Sequence, residues 1–384
     1  MDILWYVVGR DGRYPWEPKW TRPVDLDYLR ALTTSIDARG YSGALFATQP
    51  NGGLDPFITA ASLAASTRRM RFLLAIHPSL FTPSQLVKLT TTLDQNIGGR
   101  LLLNIVNGHT SLAPAGVHLA HDERYRRCDE FLDVYRRTMS GETVDFDGEF
   151  IKVKGAKAEF PSLQKPYPPL WFGGSSDIAM DVAAKHVDKY LTWGEPPPET
   201  AATIKDVNAR AAKYGRKLGF GIRLNIILRD TDEEAWQEAQ HMLDSASDDA
   251  IAKVQASNSK QDAIGQVRQA AFHGGTRPKS ARDLEIYPNL WSGFGLLRNG
   301  PGIAVVGGPE SVAARLIEYK NLGVESFILS GNPFLEEAHR FADQVMPLLP
   351  LDNSWQQPHA PSAPYAWQTA PTPSQPRIDA AAAG

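Results

Sequence analysis

The 384-residue sequence predicts an α/β fold, a closed (β/α)8 TIM-type barrel with insertions. Three observations carry that expectation. Eight short β-rich runs recur along the chain, and amphipathic helical runs lie between most of them. No early glycine-rich turn of the dinucleotide-binding type appears, although an open doubly wound sheet stays the alternative.

The strands are expected at Ile3–Val8, Ser42–Ala47, Met70–His77, Leu101–Val106, Pro169–Phe172, Lys189–Thr192, Phe220–Arg229 and Ser326–Ser330. Each is brief and dominated by β-branched, apolar or aromatic residues. Helical periodicity marks Asp25–Arg39, Thr82–Asn96, Asp122–Ser140, Ser176–Lys185, Glu199–Tyr214, Asp232–Ser245, Pro309–Leu322 and Phe334–Leu349. Alternation of this kind joins parallel strands through helical crossovers.

Two segments interrupt the rhythm of a single barrel domain spanning 1–350. Within 141–165, VDFDGEFIKVKG reads as a hairpin turning at Asp147–Gly148. The stretch 248–306 is too long for a plain connection and reads as a lid or binding loop, with a surface excursion as the alternative. Residues 351–384 are rich in Pro, Ala, Ser and Gln and cannot bury a core of their own. They are expected to be disordered or to lie on a neighbouring subunit, with Trp355, Tyr365 and Trp367 favouring some docking.

Composition narrows the function classes. A net charge of −3 gives no broad basic field for nucleic acid. The longest apolar runs, such as Met70–Ile76, are too short to cross a bilayer. The N-terminus carries no signal-peptide pattern, and the single cysteine, Cys128, rules out an intrachain disulfide framework. A cytoplasmic protein is expected. His118 and His121 lack the further ligands of a zinc site, so no metal is expected. Cys128, on a helix face, reads as packing.

Several positions could carry chemistry. WFGGSSDIA, Trp171–Ala179, runs from strand through two glycines into a helix start. Free N–H groups there, with the Ser175 and Ser176 hydroxyls, suit an anion, unless a serine merely caps the helix. Asn104 interrupts an apolar strand, and Asn107 follows at the end that faces a barrel's active site. Asp122 reads as a helix cap, and Tyr125 follows it as a site or core residue. Arg223 lies mid-strand on the face opposite Phe220, Ile222, Leu224, Ile226 and Leu228. A lumen-facing guanidinium needs either a protein carboxylate or a ligand anion.

At this level the sequence resembles a known group. TTLDQNIGGRLLLNIVNG, HDERYRR, KPYPPLWFGGSSD, YLTWGEPP, FGIRLNIILRDTDEEAW and NLWSGFGLLRNGPG look like the FMNH2-dependent alkanesulfonate monooxygenases of the bacterial-luciferase-like flavin group. The similarity reaches in order to about Leu349. It implies reduced FMN delivered by a partner NAD(P)H-dependent flavin reductase, O2 as co-substrate, and a homo-oligomer. It implies cleavage of an organosulfonate's carbon–sulfur bond to sulfite and an aldehyde. The FMN phosphate is expected near Tyr125, Ser175 and Ser176, with His77 and Asn104 by the flavin. The sulfonate pocket is matched by Trp193, Arg223 and Arg298, and the long insertion by a mobile lid.

Changes fall on the family's substrate positions. Asn225 stands where the family has histidine, Asn332 where it has tyrosine, and Phe334 where it has histidine. The loop Thr48–Asp55 lacks the family's cysteine, and Arg10–Tyr14 carries arginines for histidines. These changes remove proton donors and acceptors. The substrate is therefore expected to differ from simple linear alkanesulfonates. Three alternatives follow: the same flavin chemistry on a sulfone, alkane or other non-sulfonate; a deazaflavin (F420) hydride enzyme; and a non-catalytic flavin-binding protein.

Overall fold

The computed structural model describes residues 1–7, 9–48, 53–108, 112–259 and 264–356. Eight parallel strands close on themselves. They are β1 (Asp2–Tyr6), β2 (Gly43–Phe46), β3 (Arg71–Ile76), β4 (Leu101–Ile105), β5 (Leu170–Gly173), β6 (Lys189–Trp193), β7 (Gly219–Leu228) and β8 (Ser326–Ser330). Each pairs with the next, and β8 returns to β1 with Asp2 opposite Ser326. The sheet is therefore a closed TIM-type barrel and not an open sheet. All eight expected strand positions lie in it.

Alternation along each strand divides the molecule into two cores. Ile3, Trp5, Phe46, Phe72, Leu74, Leu103, Phe172, Ile222, Leu224 and Phe327 face outward and bury against the helices. Leu4, Leu45, Leu73, Ala75, Leu102, Trp171, Leu191 and Ile328 fill the lumen. Strand β7 contributes no aliphatic side chain to that filling. Its inward positions at this level are Gly221, then Arg223.

Below the apolar layer sits an ionic plug. Lys189 Nζ donates to Ser326 Oγ at 2.6 Å, and Arg71 pairs with Asp2 at 3.1 Å. The start of the C-terminal segment docks near this end, with the Arg71 guanidinium 5.6 Å from the Trp355 ring centroid. Tyr365 and Trp367 lie outside the described residues.

Strand β7 is ten residues long because it serves two partners in turn. Its Gly221–Asn225 half pairs with β8, and its Asn225–Leu228 half pairs with Ala304–Gly307. That second strand belongs to the long insertion, which packs its own core of Trp236, Leu284, Trp291, Phe294 and Val306 around Ile227. The insertion also holds the helices Asp248–Asn258 and Ile264–Ala271. The hairpin Val144–Asp147/Lys152–Ala156 forms as expected, with Asp147 opposite Lys152.

Helix boundaries differ from expectation in three places. The helix Pro56–Ala64 is apolar nearly all round and gives no amphipathic signal, yet Asp55 accepts from Ile58 N at 2.9 Å to start it. The helix His121–Met139 begins one residue before Asp122, so Asp122 is not its cap; Glu123 reaches back to Ala120 N at 2.7 Å instead. The last helix stops at Gln344, and Met346–Leu348 continues as a short 3-10 turn.

Candidate active site

Strand parity builds a ring at the C-terminal mouth of the barrel. One step above the apolar layer, β1 offers Tyr6, β3 leads to His77, β4 offers Asn104, β6 Trp193, β7 Arg223 and β8 Ser330. Four of these, His77, Asn104, Trp193 and Arg223, were expected at a site. Tyr6 and Ser330 were not. The Leu4–Tyr6 alternation held the signal for Tyr6, but a tyrosine at a strand end reads equally well as core.

Arg223 is 7% exposed and lies in register with Trp193. Its Nη1 donates to Leu224 O at 2.5 Å and Ile328 O at 3.3 Å, and its Nη2 donates to Ser330 Oγ at 2.7 Å. Its guanidinium carbon stands 5.0 Å from the Tyr6 ring centroid. Arg298 arrives from the insertion and donates Nη2 to Asn225 Oδ1 at 2.6 Å. Ser330 Oγ donates to the same oxygen at 3.0 Å, so Asn225 and Ser330 connect the two arginines. The Asn225 amide is held in turn by donating to Pro301 O and Ile303 O at 3.0 and 3.1 Å.

Among the described residues no carboxylate balances this pair. Burial and the charge of Arg298 push the Arg223 guanidinium down to about 9, still cationic at neutral pH. Burial lowers Arg298 as well. Arg298 Nε is buried without a hydrogen-bond acceptor among the described residues. Arg100 is an instructive contrast. It too is buried without an ion pair, but it spends its donors on Ile97 O, Thr67 Oγ1, Met70 O and Ala64 O. Arg100 is a structural cation satisfied by backbone, whereas the Arg223–Arg298 pair has donor capacity left over and faces the mouth.

A second feature is the turn after β5. Ser176 caps the helix Asp177–His186, its Oγ accepting from Ala179 N at 3.3 Å. The capping role weighed for a serine here therefore falls to Ser176, and Ser175 stays half-buried beside it. Gly174 has no room for a side chain: a Cβ there would lie 2.7 Å from Ala179 Cβ and 3.4 Å from the Tyr125 hydroxyl. A Cβ on Gly108 would lie 3.2 Å from that hydroxyl. Tyr125, Gly174 and Gly108 thus converge, and Tyr125 is 3% exposed. Nearby on the wall, Asn104 Oδ1 and the side-chain Oδ1 and Nδ2 of Asn107 are buried without described partners. His109 lies outside the described residues.

The insertion covers both features. A Cβ on Gly265 would meet Ser175 Oγ at 3.4 Å and Trp193 Cε3 at 3.6 Å, so this helix spans from the turn to the β6 end. Gln269 Nε2 donates to Gly194 O at 2.9 Å, and Gln269 Oε1 accepts from Gly302 N at 2.9 Å. Arg268 pairs with Glu195 at 3.6 Å. On the far side, Phe334 is 4% exposed and packs edge-on against Tyr6 at 5.7 Å. Asn332 is buried in the turn after β8. Most of the Thr48–Asp55 loop's centre, 49–52, lies outside the described residues. Cys128 is fully buried in the helix layer, and burial pushes its thiol up, so it packs and does not react.

The family described as luciferase-like monooxygenase matches residues 1–326. The chain belongs to that family. Membership of the luciferase-like monooxygenases supports an oxidoreductase. Solved structures agree on the fold. The riboflavin lyase RcaE, solved with modified FMN and its substrate riboflavin, has a TM-score of 0.73 at 21% identity, covering 91% of this chain and 91% of its own. EDTA monooxygenase (EmoA) from Chelativorans sp. BNC1 gives 0.74 at 18%, over 93% of this chain and 96% of its own. DmoA from Hyphomicrobium sulfonivorans gives 0.71 at 18%, over 90% and 87%. No described helix is long and apolar enough to cross a membrane.

Proposed function

We propose that this luciferase-like protein is the oxygenase of a two-component system that uses reduced FMN and O2 to cleave the carbon–sulfur bond of an organosulfonate, giving sulfite and an aldehyde. The observation that carries the reading is the Arg223–Arg298 pair, two buried guanidiniums with no carboxylate among the described residues and an unspent donor. A sulfonate stays anionic at any physiological pH, so it needs standing cations and not a proton donor for binding. Charge-assisted hydrogen bonds from a planar fork suit three equivalent oxygens.

The residues at the β5 turn fit an FMN phosphate. Glycines without room for a Cβ, a helix N-terminus, Ser175 and the Tyr125 hydroxyl would hold it. The orphaned amide atoms of Asn104 and Asn107 would meet the flavin ring. Reduced FMN and O2, when bound, supply the oxidising chemistry. The protein orients the sulfonate carbon with Arg223, Arg298 and Trp193 and excludes water with the Gln269-anchored helix. A flavin reductase partner, a homo-oligomer and a cytoplasmic setting belong to the same reading.

Anaerobic titration with FMNH2, followed by an oxygenated assay of sulfite release over a panel of sulfonates, tests it. Tight FMNH2 binding with no sulfite from any sulfonate would count against the substrate assignment. A neutral substrate, such as a sulfone or alkane, is the second reading. It is favoured by the aromatic wall of Tyr6, Phe334 and Phe294, whose last ring lies 5.0 Å from the Arg298 guanidinium carbon. Arg298→Ala separates the two, since a neutral substrate should barely feel the loss of that charge.

A further inference from the structure

His77 follows β3, four strands round the barrel from β7, and so lies on the wall opposite Arg223. Around the anion position stand Arg223, Arg298, Asn225 and Ser330, and none of these releases a proton near neutral pH. Asn225 and Phe334 contribute no titratable group, and Asn332 is likewise an amide. One acidic group does lie beside Arg223: the Tyr6 phenol, whose ring centroid is 5.0 Å from the guanidinium carbon.

Tyr6 ends β1 on the lumen side, half-buried, packed against the inner apolar layer. Three elements fix its ring. The Arg223 guanidinium carbon from β7 lies 5.0 Å from its centroid, Phe334 meets it edge-on at 5.7 Å, and a Cβ on Gly9 would touch its hydroxyl at 3.3 Å. The charged groups that act on it are Arg223 from β7 and Arg298 from the insertion. The inner apolar layer on which it packs, and Phe334, carry no charge. Glu337, one turn beyond Phe334, is occupied by Arg229 at 3.0 Å.

From this geometry we infer that Tyr6 is the proton-donating residue of the site, acting on the oxygen that leaves the reaction as water. The inference rests on the organosulfonate reading for its substrate. Burial keeps the phenol protonated, while Arg223 and Arg298 pull the other way and favour the phenolate once the proton has gone. A donor needs this combination: neutral at rest, with its conjugate base stabilised in place.

The balance closes. An alkanesulfonate, O2 and reduced flavin give an aldehyde, sulfite, oxidised flavin, water and a proton. The sulfonate carbon and the flavin each give up two electrons. The carbon loses its bond to sulfur and one hydrogen as a proton. One oxygen atom ends in the aldehyde, and the other departs and takes up protons. Tyr6 supplies one of these: its O–H bond breaks, a new O–H bond forms on the departing oxygen, and the electron pair stays on the phenolate. The proton shed by the substrate carbon returns through solvent to the phenolate, and the residue ends unchanged.

The experiment has two arms. Tyr6→Phe keeps the ring and its contacts with Arg223 and Phe334, so the fold is retained. It should lower kcat for an active sulfonate about 10²-fold. KM should stay within about threefold, because the arginines bind the anion. A kcat within about threefold of the parent overturns the proposal. The second arm needs neither cofactor nor substrate. Tyrosinate ultraviolet absorbance is titrated in the parent and in Tyr6→Phe, and the difference reports Tyr6 alone. Arg298→Met should move that difference titration to higher pH, since a cation favouring the phenolate is gone; Arg223→Met should do the same if the first variant misfolds. A titration that neither substitution moves overturns the proposal. A parent enzyme that releases sulfite from no sulfonate sinks the substrate reading instead, and the absorbance arm still decides Tyr6.

Discussion

Arg298 Nη2 donates to Asn225 Oδ1 at 2.6 Å, and that bond joins the long insertion to barrel strand β7. The same oxygen accepts from Ser330, which accepts from Arg223. Two cations contributed by separate segments are thus held by neutral groups. Leaving them without a carboxylate costs stability, and a bound anion would recover it.

Removing either cation should weaken anionic substrates selectively. Arg298→Ala and Arg223→Ala should each raise the KM for a sulfonate about 10- to 100-fold, the range expected for hydrogen bonds to a charged group. Steady-state kinetics with a sulfonate and a neutral analogue of similar shape check this. An equal loss for both compounds would mean the arginines serve packing.

Asn225→Asp should poison the site. The new carboxylate would neutralise Arg298 where the ligand anion should bind. Anion affinity should fall at least about tenfold. Stability should not rise, because the second carboxylate oxygen would face Pro301 O and Ile303 O, the acceptors that the amide now satisfies. Titration with a sulfonate, together with thermal unfolding, reads both effects. A variant that binds anions as the parent does would show that Asn225 is not part of the anion seat.

The strands were legible because each carries its own period-two pattern with turn residues at the ends. The outer face of β7 could be read from Phe220 to Leu228 on the same ground. What could not be read was the partner of each polar side chain. The barrel expectation sets β7 beside β8, but the sequence does not show the register that puts Arg223 opposite Ile328 and Asn225 opposite Ser330. Tyr6 was hidden for the same reason: its significance comes from Arg223, more than two hundred positions away. The helix Pro56–Ala64 escaped because a segment that is apolar all round has no face to detect.

Gly174→Ala should damage the turn after β5 specifically. The added methyl would press on Ala179 Cβ at 2.7 Å and Phe172 Cε1 at 3.1 Å. The turn must shift, which should cost about 1–3 kcal/mol of stability and at least about tenfold in FMNH2 affinity. Anaerobic fluorescence titration measures the affinity. Unchanged binding would remove this turn from the phosphate site.

Glu337 gives the protein a pH-dependent stability. Burial pushes its carboxyl up from the ordinary value of 4.5 to about 7, despite Arg229 at 3.0 Å. Between those values the native state keeps a proton that the unfolded chain has released. Stability therefore falls as pH rises through this window, and the loss is complete above it. Glu337→Gln should flatten that slope, with a gain over the parent on the order of 3 kcal/mol at alkaline pH that vanishes at acid pH. Urea unfolding at both ends of the window tests it. Parallel stability profiles would mean that Glu337 ionises normally in the fold.

Gln269 is the fastening of the cover. It is 2% exposed, and its amide meets Gly194 O on the barrel and Gly302 N in the loop beyond Arg298. Gln269→Ala would leave a buried carbonyl and a buried N–H without partners, each costing about 1–3 kcal/mol. The eight barrel strands do not depend on this residue, so the loss should appear as local opening of the insertion and not as global unfolding. Hydrogen exchange should accelerate about 10- to 100-fold at Gly302 and along Ile264–Ala271, with β1 to β8 unchanged. If the helix is a water barrier, the same variant should divert O2 into hydrogen peroxide while FMNH2 still binds. Exchange that rises uniformly across barrel and insertion would show that the two unfold as one unit, and the helix could not then act as a lid.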